Sequence, residues 1–321
     1  MKKKIIIITG DPNSINSELI YKCWKKIDNR LKKKIYLISN NNLLKKQFKI
    51  LKYKIKTVEV KNLNECSNNK NLKILNRNLK FTNPFKVSLA SGIKFVQSSL
   101  NLGHELGLKK EVMGIINCPI DKKFLNKSNF GVTEYLASKC SIKEENQAML
   151  IMNEKLAVCP LTTHINLENV SKKINKFLII NKIKTIDLWF KRKIRKRPKI
   201  VILGLNPHNA ELNKNSKENK IITPAVKILK KLKVNIRGPI PADTIFINEY
   251  KKYDVIVGMY HDQVLAPFKA LYKFNAINLT AGLKYLRVSP DHGVAIDIIK
   301  KNKSNVTSLL KCIKTINKFG K

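Results

Sequence analysis

An α/β fold with a largely parallel sheet is what this 321-residue chain predicts. Two observations carry the prediction. Short apolar runs alternate along the chain with longer amphipathic segments, the pattern of strand–helix–strand units that feed a parallel sheet. Turn-forming residues mark the joints, as in Gly10-Asp11-Pro12-Asn13 after the first apolar run and Gly204-Leu205-Asn206-Pro207 after a later one. The hydrophobic fraction of 43% is ordinary for a globular protein, and the length suffices for a large core.

Taken in order, the first strand is expected at 5–9, where an unbroken isoleucine run suits a strand buried on both faces. A turn leads into a helix at 17–28, with Asn or Ser as its cap. Strands follow at 34–38 and 57–60. A helix at 84–106 opens on Pro84, tolerated in a first turn because the N–H it lacks would have no partner there. Strand 112–117, helix 133–138 and strands 148–152 and 156–160 continue the alternation. Helices at 167–181 and 183–191 precede a strand at 199–203, and a helix at 224–233 precedes strands at 245–247 and 255–258. Strand 276–279 and helices at 294–300 and 305–319 complete the series.

The formal net charge is +42, from 64 Lys and Arg against 22 Asp and Glu. Such a charge raises the question of nucleic-acid binding. Two features argue against it. Only seven of the 64 are arginine, the residue whose planar fork reads phosphates and base edges. The lysines also spread along the whole chain beside abundant Asn and Ile, as in solvated faces drawn from A/T-rich codons. The one dense run, KRKIRKRPK at 191–199, abuts an apolar strand and reads as a helix end or loop. The charge is better matched to small anionic substrates.

Six cysteines, at 23, 66, 118, 140, 159 and 312, make no CxxC pair and no zinc or disulfide spacing, so a reducing, cytoplasmic compartment is expected. The opening MKKKIIIITGDP imitates a leader, but its apolar run is too short for a signal-peptide core or a membrane span. No apolar stretch of about 18 residues occurs elsewhere, so no membrane partner is expected. The GxGxxG dinucleotide fingerprint is absent.

Three of the five histidines stand where an apolar run breaks into a turn: His164 in LTTH, His208 in GLNPH and His261 in GMYHDQ. Neutral imidazole is the commonest transition-metal ligand, and three imidazoles with an open position make a catalytic site rather than a structural one. Their neighbours Thr162 and Thr163, Asn206 and Pro207, and Asp262 and Gln263 are polar or turn-forming groups of the kind that fix a ring's tautomer and direction.

Four clusters carry further chemistry. Gly131-Val132-Thr133-Glu134 opens a helix whose free N–H groups suit an anion. Gly204-Leu205-Asn206-Pro207-His208 is a turn that presents His208. In Gly238-Pro239-Ile240-Pro241-Ala242-Asp243-Thr244, two prolines stiffen the backbone ahead of Asp243. The fourth is a loop-like span that starts at Met259 and carries His261, Asp262, Lys269, Asn278, Arg287, Asp291, His292 and Gly293. Lys269 and Arg287 suit a phosphate or carboxylate, Arg by bidentate bonding and Lys as a point charge.

At these words the chain resembles the 4-hydroxythreonine-4-phosphate dehydrogenase (PdxA) family. GVTEYLA, LTTHINLENV, GLNPH, GPIPADTIF, GMYHDQVLAPFK, NLTAGL and LRVSPDHGVA follow in family order and cover most of the chain from about residue 110 onward. The resemblance implies an isocitrate/isopropylmalate dehydrogenase-like fold of two α/β/α lobes around a largely parallel mixed sheet, with a cleft between them. Residues 1–128 and 271–321 would form the cofactor-side lobe, and 129–270 the metal, substrate and dimerisation lobe. It further implies a homodimer with shared active sites. His164 and His208 of one subunit and His261 of the other would hold a divalent metal (Zn, Mg, Co or Mn). Thr133, Lys269, Asn278 and Arg287 match substrate contacts, and Asp243 and Asp262 match polar residues beside the metal. The general base stays open between Lys269, Asp243 and a metal-bound water. Asp291, His292 and Gly293 match the cofactor-side loop, for NAD or alternatively NADP. The implied reaction is NAD-dependent, metal-assisted oxidation and decarboxylation of 4-phosphooxy-L-threonine to 3-amino-2-oxopropyl phosphate in pyridoxal phosphate biosynthesis.

The chain departs from the family at four places. Val132 stands where a substrate-contacting His is usual. The N-terminal turn, normally GDPAGIGPE-like, reads GDPNSINSE. The usual Ala-Gly-Glu after His208 reads Asn209-Ala210-Glu211, and the Gly-rich segment after the last motif reads Lys300-Lys301-Asn302-Lys303. The alternatives are a sister dehydrogenase acting on a phosphorylated four-carbon sugar acid, an acyl-phosphate transferase of the same fold that needs no histidine ligands, and a nucleic-acid-binding protein.

Overall fold

The computed structural model describes residues 3–65, 70–125, 131–210 and 213–320. The chain divides into two compact units, Met1–Cys140 with Lys284–Lys321, and Ser141–Leu283.

The first unit begins with β1 (Lys4–Ile8), α1 (Asn16–Lys26), α2 (Asn29–Lys34), β2 (Ile35–Ser39), α3 (Asn41–Ile50), β3 (Thr57–Glu59), β4 (Leu72–Asn76), α4 (Leu89–Gly107), β5 (Val112–Asn117) and α5 (Val132–Lys139). The isoleucines of β1 are buried on both faces, as their unbroken run requires. Helices α2 and α3 escape an apolar-period reading because their starts are set by polar caps. Asp28 accepts from Leu31 N at 2.7 Å and Asn40 from Leu43 N at 2.8 Å. Strand β4 is hidden by Lys73, which is fully buried. Its Nζ donates to the carbonyls of Lys32 and Lys33 at 2.9 and 3.0 Å, closing the carboxyl end of α2, and stands 4.7 Å from the Tyr36 ring centroid. Helix α4 starts at Leu89, after its cap Ser88, rather than at Pro84.

The second unit comprises β6 (Ala148–Met152), β7 (Ala157–Pro160), α6 (Leu167–Lys173), α7 (Lys176–Trp189), β8 (Ile200–Leu203), α8 (Thr223–Lys231), β9 (Ile236–Ile240), α9 (Ala242–Ile245), β10 (Val255–Gly258), α10 (His261–Tyr272) and β11 (Ile277–Ala281). Its strands run in the order β11-β6-β7-β10-β8-β9. Strands β7, β10, β8 and β9 are parallel, and β6 is antiparallel to both its neighbours. Three expectations change here. Residues 245–247 are not a strand: Ile245 ends α9 behind Pro241, buried in a cluster with Leu265 and Phe268. A short apolar run serves a buried helical turn as well as a strand. The helix expected at 167–181 breaks at Ile174 and restarts behind Asn175, which accepts from Leu178 N at 2.9 Å. The span from His261 to Lys269 is not a loop but the body of α10, with Pro267 inside it. Its buried residues Val264, Leu265 and Phe268 follow helical spacing and pack on Val158 and Ile256.

The chain then returns to the first unit with β12 (Arg287–Pro290) and α11 (Thr307–Phe319). That unit's strand order is β3-β4-β2-β1-β5-β12, and every pair is parallel. The helix expected at 294–300 reduces to one 3-10 turn, Ile296–Ile298, because Ala295 takes a left-handed φ of 49° just before it. Both units are thus α/β with largely parallel strands, as expected. Among the described residues no helix is long and apolar enough to cross a membrane.

Candidate active site

The second unit gathers the histidines. Parallel register sets Pro160 of β7 beside Gly258 of β10, and Val257 of β10 beside Ile202 of β8. The segments leaving these three adjacent strands carry His164, His261 and His208, so all three rings arise at one carboxyl edge, where open α/β sheets bind ligands. Leu161 N donates to Gly258 O at 2.8 Å, and Thr162 Oγ1 to Met259 O at 2.7 Å, which holds the His164 segment against the start of α10. The rings of His164 and His261 lie with centroids 6.3 Å apart, tilted by 38°. Imidazole nitrogens bind zinc-like ions at about 2.0–2.1 Å, so two rings on one ion have centroids about 5–6 Å apart, and small rotations bring this pair into range. His261 Nδ1 donates to Asp262 Oδ1 at 2.6 Å, which leaves the lone pair on Nε2.

His208 sits in a strained turn. His208, Asn209 and Ala210 take φ of 51°, 57° and 49°, a left-handed run costly for residues with a β-carbon. Glu218 holds the segment ahead of it. Its Oε1 accepts from Leu205 N at 2.8 Å and from Asn206 N at 2.7 Å, and its Oε2 from Asn206 Nδ2 at 3.0 Å. Burial raises the Glu218 pKa, but these hydrogen bonds outweigh it and hold the carboxyl below its ordinary range. Glu218 is absent from the sequence reading. The sequence marks it only as an acid in a stretch rich in lysine and asparagine.

Among the described residues, no three His, Cys, Asp or Glu side chains of one chain are close enough to hold a metal. Within one chain the rings of His164 and His261 are neighbours, and His208 does not join them. Asp262 stands beside His261, its side chain 82% exposed. Asp243 lies exposed in the first turn of α9. Lys269 is exposed eight residues beyond His261 on α10, about 12 Å along the helix axis at 1.5 Å per residue. Asn278 lies in β11, and its Oδ1 is buried with no hydrogen-bond partner among the described residues.

The first unit holds a buried cation. Arg287 pairs with Ile115 across β12 and β5, so Arg287, Ile115 and Asn117 project from one face of the sheet. Arg287 is 2% exposed. Its Nε donates to Asn117 Oδ1 at 2.7 Å and its Nη1 to Thr133 Oγ1 at 3.0 Å. Burial pushes the guanidinium pKa down to about 10, and Glu134 opposes that drop, so the group is charged at neutral pH. Thr133 lies in the first turn of α5, whose start is fixed by Gly131 N donating to Glu134 Oε2 at 2.9 Å. The fold thus joins Thr133 and Arg287, which sequence placed far apart.

The loop of Asp291, His292 and Gly293 follows β12 in the same unit. Asp291 N donates to Ser308 Oγ at 2.9 Å, and His292 Nδ1 donates to Gly293 O at 2.9 Å. Among the described residues nothing lies within 4 Å of where a Gly293 β-carbon would stand, so its backbone is open to a ligand. Ile15 N donates to Val294 O at 3.3 Å, which ties this loop to the N-terminal turn. That turn is held by Gly10 and Asn16. Gly10 takes φ +75°, where a β-carbon would press on Pro119 O, and Asn16 Nδ2 donates to Thr9 O and Pro119 O at 2.9 and 2.8 Å.

Comparison with known proteins matches residues 30–316 to the family described as "Pyridoxal phosphate biosynthetic protein PdxA". The chain belongs to the PdxA family. A relative named 4-hydroxythreonine-4-phosphate dehydrogenase, from Sulfurihydrogenibium sp. (strain YO3AOP1), is 36% identical over 97% of this chain and 96% of its own length. A D-threonate 4-phosphate dehydrogenase from Pectobacterium atrosepticum is 34% identical over 64% of each chain. The solved 4-hydroxythreonine-4-phosphate dehydrogenase of Klebsiella pneumoniae has TM-score 0.87 at 27% identity, covering all of both chains. Isocitrate dehydrogenase from Methylococcus capsulatus, at 12% identity, covers 98% of this chain and 84% of its own with TM-score 0.51, a likeness of fold alone. This PdxA-family chain is therefore an oxidoreductase with the isocitrate dehydrogenase-like fold, and its role lies in pyridoxal phosphate biosynthesis.

Proposed function

We propose that the chain catalyses the NAD-dependent, metal-assisted oxidation and decarboxylation of 4-phosphooxy-L-threonine to 3-amino-2-oxopropyl phosphate. The observation that carries this reading is the His164–His261 pair, with His261 Nδ1 committed to Asp262 and its Nε2 turned to lone-pair duty. That donor set fits a divalent ion such as Zn, Co, Mn or Mg, with His208 of a second copy as third ligand. A bound ion would supply Lewis-acid polarisation of a substrate hydroxyl and NAD, or alternatively NADP, would take the hydride.

The chain's own residues do the rest. Arg287 and Thr133 bind an anionic end of the substrate, and Lys269 adds a second cation. The buried Oδ1 of Asn278 accepts from a substrate hydroxyl or ammonium. The substrate's hydroxyl proton passes to Lys269 Nζ, to an Asp243 oxygen or to water, and the pH–rate profiles of Lys269→Ala and Asp243→Asn assign it. The loop of Asp291, His292 and Gly293 receives the dinucleotide against open backbone. A homodimer follows from the third ligand, and it would also cover the exposed Leu167, Phe177 and Ile247. The five described cysteines, all free and buried, suit the cytoplasm.

The deciding assay is NADH formation from 4-phosphooxy-L-threonine with and without chelator. Turnover that chelation removes and metal restores supports the reading, and undiminished turnover in metal-stripped buffer contradicts it. Val132, half-buried beside Thr133, favours one second reading, a phosphorylated four-carbon sugar acid as substrate. A higher kcat/KM on D-threonate 4-phosphate would move the assignment there.

A further inference from the structure

Asn117 belongs to no motif singled out above, and the proposed reaction gives it no task. It ends β5, is 3% exposed, and its amide is fixed at both atoms. Nδ2 donates to Cys118 O at 3.3 Å, which turns Oδ1 toward Arg287, and Oδ1 accepts from Arg287 Nε at 2.7 Å. Thr133 Oγ1 holds Nη1 from a different element, the first turn of α5. A guanidinium is a rigid planar fork, so acceptors on Nε and on one Nη fix both its plane and its direction. A carboxylate in place of Asn117 would hold the same plane but cancel the charge. An amide oxygen holds it and leaves the cation's field for a ligand.

We infer that Asn117 is a positioning residue for anion recognition: it aims the Arg287 guanidinium at the phosphate or carboxylate of the substrate without neutralising it. The inference rests on Arg287 contacting substrate, and two readouts separate it from that reading. The first is the Arg287 Nε–H resonance in proton–nitrogen spectra of the whole protein, which needs no turnover. It should be slowly exchanging in the parent, lost in Asn117→Leu and kept in Asn117→Asp. The second is the kinetic split. Asn117→Leu should raise KM for 4-phosphooxy-L-threonine on the order of tenfold to a hundredfold, the effect of losing a hydrogen bond to a charged group, with kcat changed far less. Asn117→Asp should raise KM while keeping the resonance, because its charge competes with the anion. A protected Nε–H in Asn117→Leu, or a KM matching the parent's in either variant, overturns the inference. If Asn117→Leu does not fold, Asn117→Asp decides alone. If the parent does not turn over this substrate, the functional reading falls while the resonance still judges Asn117.

Discussion

Gln263 fastens the first turn of α10 to the end of β8, its Nε2 donating to Gly204 O at 2.8 Å. Its Oε1 accepts from Met259 N at 2.7 Å, so one side chain joins the segment before His261 to the strand end that leads to His208. Replacing it with leucine keeps the bulk and removes both bonds. A buried group left without a partner costs about 1–3 kcal/mol. Gln263→Leu is expected to lower unfolding free energy by about that much in urea titration. Its metal affinity should fall on the order of tenfold, since partners that orient ligands carry effects of that size. Unchanged metal affinity in a folded variant would show that the His261 segment holds its geometry without the amide.

Glu218 makes the turn before His208 depend on pH, and the sign can be worked out. Its folded-state pKa lies below the ordinary value of 4.5. The stabilisation is therefore complete above 4.5 and is lost as pH falls through the depressed folded value. Amide exchange at Leu205 and Asn206 should show protection near neutral pH that disappears in acid, below 4.5. In Glu218→Gln the pH dependence of that protection should vanish. Protection that persists in acid would assign the turn's order to something other than the carboxylate.

Much of the fold was legible because β1, β5, β7, β8 and β10 are short apolar runs bounded by turn residues, a signal that survives the heavy lysine content. What escaped has local causes. Lys73 interrupts β4, Arg287 heads β12, and Gly238 and Pro239 sit within β9, so each strand carries a residue that ordinarily argues against one. Helix α10 was obscured because His261, Asp262, Gln263 and Pro267 look like a loop, although Val264, Leu265 and Phe268 already had helical spacing. In the candidate site, residue types pointed to His164, His208, His261 and Arg287. Gln263 showed only as a polar neighbour of His261, and Asn117 and Glu218 were invisible, because a positioning residue is defined by a partner remote in sequence.

Lys73 tests whether a buried charge can hold this edge of the first unit. Its ammonium closes α2 through the carbonyls of Lys32 and Lys33 and rests on Tyr36. Lys73→Met keeps the stem and removes the donor, leaving those carbonyls without it. The expected loss is about 1–3 kcal/mol in urea unfolding, with kcat and KM of the folded fraction unchanged. A gain in stability would mean that desolvating the ammonium outweighs its bonds.

The ligand pair within one chain leads to a complementation test. His208→Ala and His261→Ala should each abolish metal-dependent turnover. In a mixed dimer, the His208→Ala chain still offers His164 and His261, and its partner still offers His208, so one of the two sites is whole. Random reassociation of equal amounts should restore roughly a quarter of parental activity, since half the dimers are mixed and half their sites intact. Mixing His164→Ala with His261→Ala should restore nothing, because no chain then carries the whole pair. If that second mixture recovers activity as the first does, the pair at 6.3 Å is split between ions, and His164 works with His208 from its own chain.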